Sequence, residues 1–281
     1  MKSKSASLKI IVILTLVALT FAYLLPIYVT VINSLKSIQE INSTNYLTPV
    51  LVPKFENYAE VLFGSDRFRS EMLPRLGNSL IITFSVTLLS SFFGGLGGYY
   101  LARNKSPFAR VLFILVGIAL YLPYQAVIIP LVTLMAKSHL TQSYWGMIVS
   151  YLILNIPLAS VMLGTFFQSV PRELEESAEV DGASRAATFF NIVIPVSLPA
   201  FASVGIIIFT QVWNEFFLAL ALSQPATQTV QVVMAEAKGT TLVLYNLQMA
   251  AALITTAIPL LFFLFLGRYF VRGILAGALK G

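Results

Sequence analysis

Six long apolar runs, at about 8–32, 76–101, 111–136, 144–167, 200–222 and 247–270, occupy most of a chain of 281 residues. Each reaches the roughly 20 residues that a helix needs to cross a hydrocarbon layer of about 30 Å. Such a layer offers no water to backbone N–H and C=O groups, so every run is expected to be a helix. Four runs carry proline (Pro26, Pro123, Pro130, Pro157 and Pro259), which in a membrane bundle predicts kinked helices rather than loops. The fold class expected is an all-α integral membrane protein, a bundle of six transmembrane helices forming a single domain over 1–281. Composition agrees: only 11% of residues are charged, against about 25% in a soluble domain, and mean hydropathy is +0.83.

The net charge of +6 reads as topology. Eleven of the eighteen basic residues, among them Lys2, Lys4, Lys9, Arg103, Lys105, Arg172 and Arg185, fall on one side of the six runs. The seven others, among them Lys36 and Lys137, fall on the opposite side. The richer side is cytoplasmic by the positive-inside rule, and it holds both termini. Basic residues scattered in short connections do not track phosphates, so no nucleic-acid partner is expected. The first run exceeds the ~7–15 apolar residues of a cleaved leader and is expected to be retained.

Chemistry-bearing groups are sparse. There is no cysteine and one histidine, His139, so neither thiol catalysis nor a His/Cys metal cluster is available. No nucleophile–base pair lies within a span, which argues against an intramembrane enzyme. The outer segments 33–75 and 223–246 suit a small cap and a surface helix. The inner segment 168–199 is the only sizeable one on its side, and is where a cytosolic partner would bind. No internal repeat is visible, which counts against an ion-gradient-driven secondary transporter, the competing reading.

That inner segment, from Pro171 to Pro195, reads as two short helices joined at Asp181-Gly182. Glu173, Glu175 and Glu176 suit a helix N-terminus, and glycine suits a turn closed to other residues. Ala183, Ala187, Phe190 and Ile194 then form one stripe ending before Pro195. Its acidic first half disfavours a rest on anionic lipid, leaving a mechanical coupler as the preferred reading.

Here the chain resembles ABC importer permeases. Glu176, Ser177 and Ala178, then Asp181, Gly182 and Ala183, then Ile192, Ile194 and Pro195 match the spacing of the family's "EAA" signature. Ser177 replaces the usual alanine and Ile194 the usual leucine, without a change of size class. Trp213-Asn214-Glu215-Phe216 and the ending from Arg272 to Gly281 are similar to the carbohydrate-uptake branch, in particular maltose-type second permease subunits. The resemblance implies a multi-pass protein of a prokaryotic plasma membrane that works with a second permease, two ATPase subunits and an extracytoplasmic solute-binding protein. It implies that the 171–195 loop docks an ATPase, that Gly277, Lys280 and Gly281 in the tail reach it, and that the solute is a sugar or related compound. No phosphate-binding Gly-x-x-x-x-Gly-Lys-[Ser/Thr] loop is present, so ATP and Mg belong to the partner; this chain is expected to hold no cofactor and no metal, and not to be an enzyme.

Candidate path residues follow from polarity within spans. Glu215 is the sole acid inside one, and a charge near mid-membrane costs at least ~2.5 kcal/mol, so it should face the bundle interior or water. Gln211 and Asn214 share its face. The stripe either lines a translocation path or forms an inter-helix hydrogen-bond cluster. Tyr121, Tyr124 and Gln125 in the third run are weaker candidates, as is Gln248 in the sixth. Ser79, Thr83, Thr87 and Ser90, with Gly94 and Gly98, read as helix packing.

Overall fold

The computed structural model describes residues 2–121, 123–237 and 244–278. Among them every regular element is helical. Four helices are long and apolar enough to cross a membrane: Lys9–Ser34 within α1 (Lys2–Ser34), α4 (Met72–Arg103), α7 (Tyr144–Ser169), and Tyr245–Arg268 within α14 (Tyr245–Ala278). Two bent pairs supply up to two more spans. The first joins Pro107–Ala119 (α5) to Tyr124–Lys137 at 99°, and the second joins Arg185–Val196 to Leu198–Trp213 at 75°. The protein is an all-helical membrane protein.

The first bend corrects the expectation of one kinked helix over 111–136. Pro26, Pro157 and Pro259 sit inside continuous helices. Pro123 does not: it lies extended, with φ −63° and ψ 120°, ahead of a 3₁₀ turn at Tyr124–Val127. Lacking an N–H, it cannot close the ladder from α5, and its carbonyl instead receives Ala126 N at 2.9 Å to start the new turn. In α6 (Ile128–Lys137) Pro130 falls at the third position, where an N–H would have no helical partner anyway. The exposed His139 closes α6 in the left-handed region (φ +54°). Its N–H and that of Leu140 return to Ala136 and Met135. The run 200–222 is likewise interrupted, into α11 (Leu198–Trp213) and α12 (Phe217–Leu222).

The chain falls into two compact units. One comprises Met1–Pro74 and Val233–Thr256. In it α1 is uncovered along its apolar window, which suits lipid on all sides. The 33–75 segment folds with α2 (Ile38–Ser43) and α3 (Glu56–Phe63) around a polar knot. Asn57 Nδ2 donates to Ser34 O at 2.8 Å and Lys36 O at 2.9 Å, and Asn57 Oδ1 accepts from Asn246 at 3.0 Å. Lys36, counted above among the basic residues of the outer side, is fully buried and donates to Asn45 O at 3.1 Å.

The other unit comprises Arg75–Val232 and Ala257–Gly281. Its core joins Ile82 and Val86 of α4, Tyr151, Leu163 and Phe167 of α7, and Val204, Ile208 and Val212 of α11. Gly94 and Gly98 serve the packing role read from sequence. A Cβ on Gly98 would stand 2.7 Å from both Gly164 N and Ser160 O, so α4 and α7 touch backbone to backbone.

Candidate functional site

Two features of the second unit gather the candidate residues. The first is a cavity of ≈ 940 Å³. Tyr121, Tyr124, Gln125, Gln211, Asn214 and Glu215 all line it. Gln248 is not among its lining residues; it lies in the other unit. Tyr151 and Asn155, one turn apart on α7, also line the cavity and were missed. Their i, i+4 polar spacing in an apolar run was the available signal.

Glu215 occupies the interruption between α11 and α12, and local chemistry explains the interruption. Asn214 ends α11 by donating its side-chain amide back to Thr210 O at 2.9 Å. The Glu215 carboxylate then accepts from Leu218 N at 2.9 Å and Ala219 N at 3.1 Å, capping the free N–H groups of α12. Two phenols complete its shell: Tyr151 Oη donates at 2.6 Å and Tyr124 Oη at 3.3 Å. Glu215 thus both lines the cavity and bridges three segments. It is the sole charged side chain among the described lining residues.

The second feature is the elbow made by 171–196. Its first limb is α8 (Glu173–Val180). Ala183 N returns to Ala178 O at 2.9 Å and Gly182 N to Glu179 O at 3.0 Å, with Gly182 at φ +84°. That is a Schellman closure, and it gives the spacing of Ala178, Gly182 and Ala183 its physical reason. Ser184 then caps the second limb by accepting from Ala187 N at 3.2 Å. This limb runs through α9 (Arg185–Thr188), a π turn at Phe189–Val193 and α10 (Ile194–Val196).

The π turn corrects the expected stripe. One extra residue in the turn buries Phe189 and Val193 and leaves Phe190 47% exposed, while Ala183, Ala187 and Ile194 stay half-buried. The helix also continues through Pro195, which is the second residue of α10. Glu176, Ser177, Asp181 and Gly182 are exposed on the elbow's outer side, and Pro195 is exposed near its bend. Ala178 is buried, and Ile192 is half-buried. Of the tail candidates, Gly277 lies in α14, whereas Lys280 and Gly281 fall outside the described residues.

The elbow is fastened to α4 by contacts that the sequence reading did not join. Tyr99 Oη donates to Glu175 Oε2 at 2.6 Å, and Arg103 Nε to Glu175 Oε1 at 2.7 Å, an ion pair largely shielded from solvent. Arg103 also donates to Val170 O at 3.1 Å.

Comparison with known proteins decides what this arrangement belongs to. Residues 91–276 match the family described as the binding-protein-dependent transport system inner membrane component. The chain belongs to this permease family. The permease is 35% identical to the glucose import system permease protein GlcU of Saccharolobus solfataricus, over 94% of its own length and 92% of the relative's. It is 33% identical to the sulfoquinovosyl glycerol transport system permease protein SmoH of Agrobacterium fabrum, over 73% of each chain. Its fold is that of a chain in the crystal structure of a bacterial ABC transporter that imports the acidic polysaccharide alginate. The TM-score is 0.80 at 19% identity, covering 95% of the permease and 97% of that chain. As a permease subunit of an ABC importer it is not itself catalytic, and no bound cofactor is expected of it.

Proposed function

We propose that the permease carries a sugar or closely related polyol inward through the cavity lined by Tyr121, Tyr124, Gln125, Gln211, Asn214 and Glu215. ATP hydrolysis on a separate subunit drives the step through the 171–196 elbow. The carrying observation is the elbow itself: a vertex closed by Gly182, with Val180 88% exposed beside it and both limbs rooted in the membrane unit. An exposed apolar knob on a rigid protrusion suits a groove in a protein partner rather than water. The sugar class rests on relatives named for glucose and sulfoquinovosyl glycerol import, and on aromatic and amide groups that suit hydroxyl-rich solutes.

The same reading makes 1–281 one permease domain of the maltose-type second-subunit branch. It pairs with another permease, two ATPases and an extracytoplasmic binding protein in a prokaryotic plasma membrane. Both termini face the cytoplasm, with Gly277, Lys280 and Gly281 toward the ATPase; Gln248, outside that cavity, is a separate candidate path residue. Purification from native membranes in mild detergent tests it. Recovery of an ATPase and a second permease, with ATP-driven uptake of radiolabelled glucose or oligosaccharide after reconstitution, is expected. Recovery of the chain alone, with uptake surviving ATP depletion but not collapse of ion gradients, would replace it with secondary transport.

A further inference from the structure

We propose that Tyr99 is a positioning residue that receives the movement of both limbs of the elbow and passes it to α4 and α7; this rests on the reading of the elbow as the ATPase-docking element. Tyr99 touches the two limbs by different chemistry. Its hydroxyl holds Glu175 of α8 at 2.6 Å. Its ring lies 4.8 Å from Phe189 in the π turn, tilted by 44°, and 6.0 Å edge-on from Phe167 of α7. Arg103, one helical turn further along the same face, repeats the grip through Glu175 and adds the carbonyl of Val170. One turn of α4 is therefore attached to both arms of the elbow and to the end of α7.

The vertex has the opposite character. A Cβ built on Gly182 meets nothing within 4 Å, so the vertex is open on that side. Downstream, α4 cannot absorb movement of the elbow by turning side chains, because at Gly94 and Gly98 it packs directly on the Ala159, Ser160 and Gly164 segment of α7. The same helix α7 places Tyr151 and Asn155 in the cavity wall. The sequence of contacts is continuous: elbow, Tyr99 with Arg103, α4 against α7, cavity. Packed elements of this kind shift as blocks rather than deforming.

The experiment uses the complete importer in proteoliposomes and reads solute uptake per ATP hydrolysed. Tyr99→Phe keeps the ring and removes its donor, and Glu175→Gln keeps the volume and removes the charge. In the double variant ATPase recruitment should stay normal while uptake per ATP falls about tenfold, the effect of losing charge-assisted hydrogen bonds. If the double variant does not accumulate, Tyr99→Phe alone, one oxygen smaller, should lower the same ratio about threefold. An unchanged ratio would overturn the proposal. So would lost ATPase recruitment by the variants, which would make the cluster a support for docking and not a relay. An unmodified importer whose permease never recruits an ATPase would instead remove the reading of the elbow on which the proposal rests.

Discussion

The two ends of α4 are tied down in different ways. Near its start, Asn78 donates to Ala226 O at 3.0 Å and Gln228 O at 2.9 Å and accepts from Tyr144 Oη at 2.6 Å, while Ser79 accepts from Val230 N at 2.9 Å. These bonds are neutral and largely to backbone. At its last turn, Tyr99 and Arg103 hold a carboxylate on the first limb of the elbow. Asn78 and Arg103 are about 38 Å apart along the helix at 1.5 Å per residue, roughly a bilayer with its headgroups. A brace onto backbone fixes position; a charge-assisted grip on a limb of the elbow would transmit that limb's movement. On the proposed reading, the same helix is anchored at one end and driven at the other.

Substitutions should separate the two roles, in order of expected size. Gly98→Ala drives a methyl into the backbone of Ser160 and Gly164, and should cost about 3 kcal/mol in thermal unfolding followed in detergent. Such a loss would affect both ends alike. Asn78→Ala leaves two carbonyls and the Tyr144 hydroxyl without their partner, and should cost about 2 kcal/mol while leaving uptake per ATP intact in the fraction that folds. A changed ratio would show that the start of α4 is no mere brace. Glu215→Ala removes the cap of α12 and the acceptor of Tyr151 and Tyr124, at a cost of about 2 kcal/mol. If the stripe lines the path, uptake falls with the complex still assembled; loss of assembly favours a purely structural cluster.

Gly182→Ala should be smallest in stability, about 1 kcal/mol for a side chain at φ +84°. His139 shows that the chain carries the same closure with a side chain in the left-handed region, so the fold should survive. ATPase co-purification, by contrast, should drop well beyond what that cost explains. A variant that recruits the ATPase normally would separate the vertex from docking.

Much of this was legible in one dimension, and the gaps have physical causes. Long apolar runs locate α1, α4, α7 and α14 closely, since hydrocarbon leaves the backbone no alternative to a helix. Gly182 was readable as an elbow because its turn is local. Proline was ambiguous: Pro157 is absorbed within α7, whereas Pro123 ends a helix, and nothing adjacent in sequence separates the two. The interruption at Glu215 is set locally, but the phenols that complete its shell come from Tyr124 and Tyr151, 91 and 64 residues away. Of the cavity residues, the six legible ones lie in runs already marked by polarity, while Tyr151 and Asn155 were hidden by the apolar residues around them. The grip on Glu175 is likewise long in range. Arg103 reads in sequence as one of many topological charges, and its partner is 72 residues on. The π turn inverts the roles of Phe189 and Phe190, an exchange that a 3.6-residue period cannot anticipate.

The most direct test is the ratio of solute uptake to ATP hydrolysis in proteoliposomes holding the complete importer, measured with and without an ionophore. Uptake that tracks ATP hydrolysis, ignores the ionophore and loses that stoichiometry in the Tyr99→Phe, Glu175→Gln variant is the expected result. Uptake that continues without ATP and stops with the ionophore would contradict it.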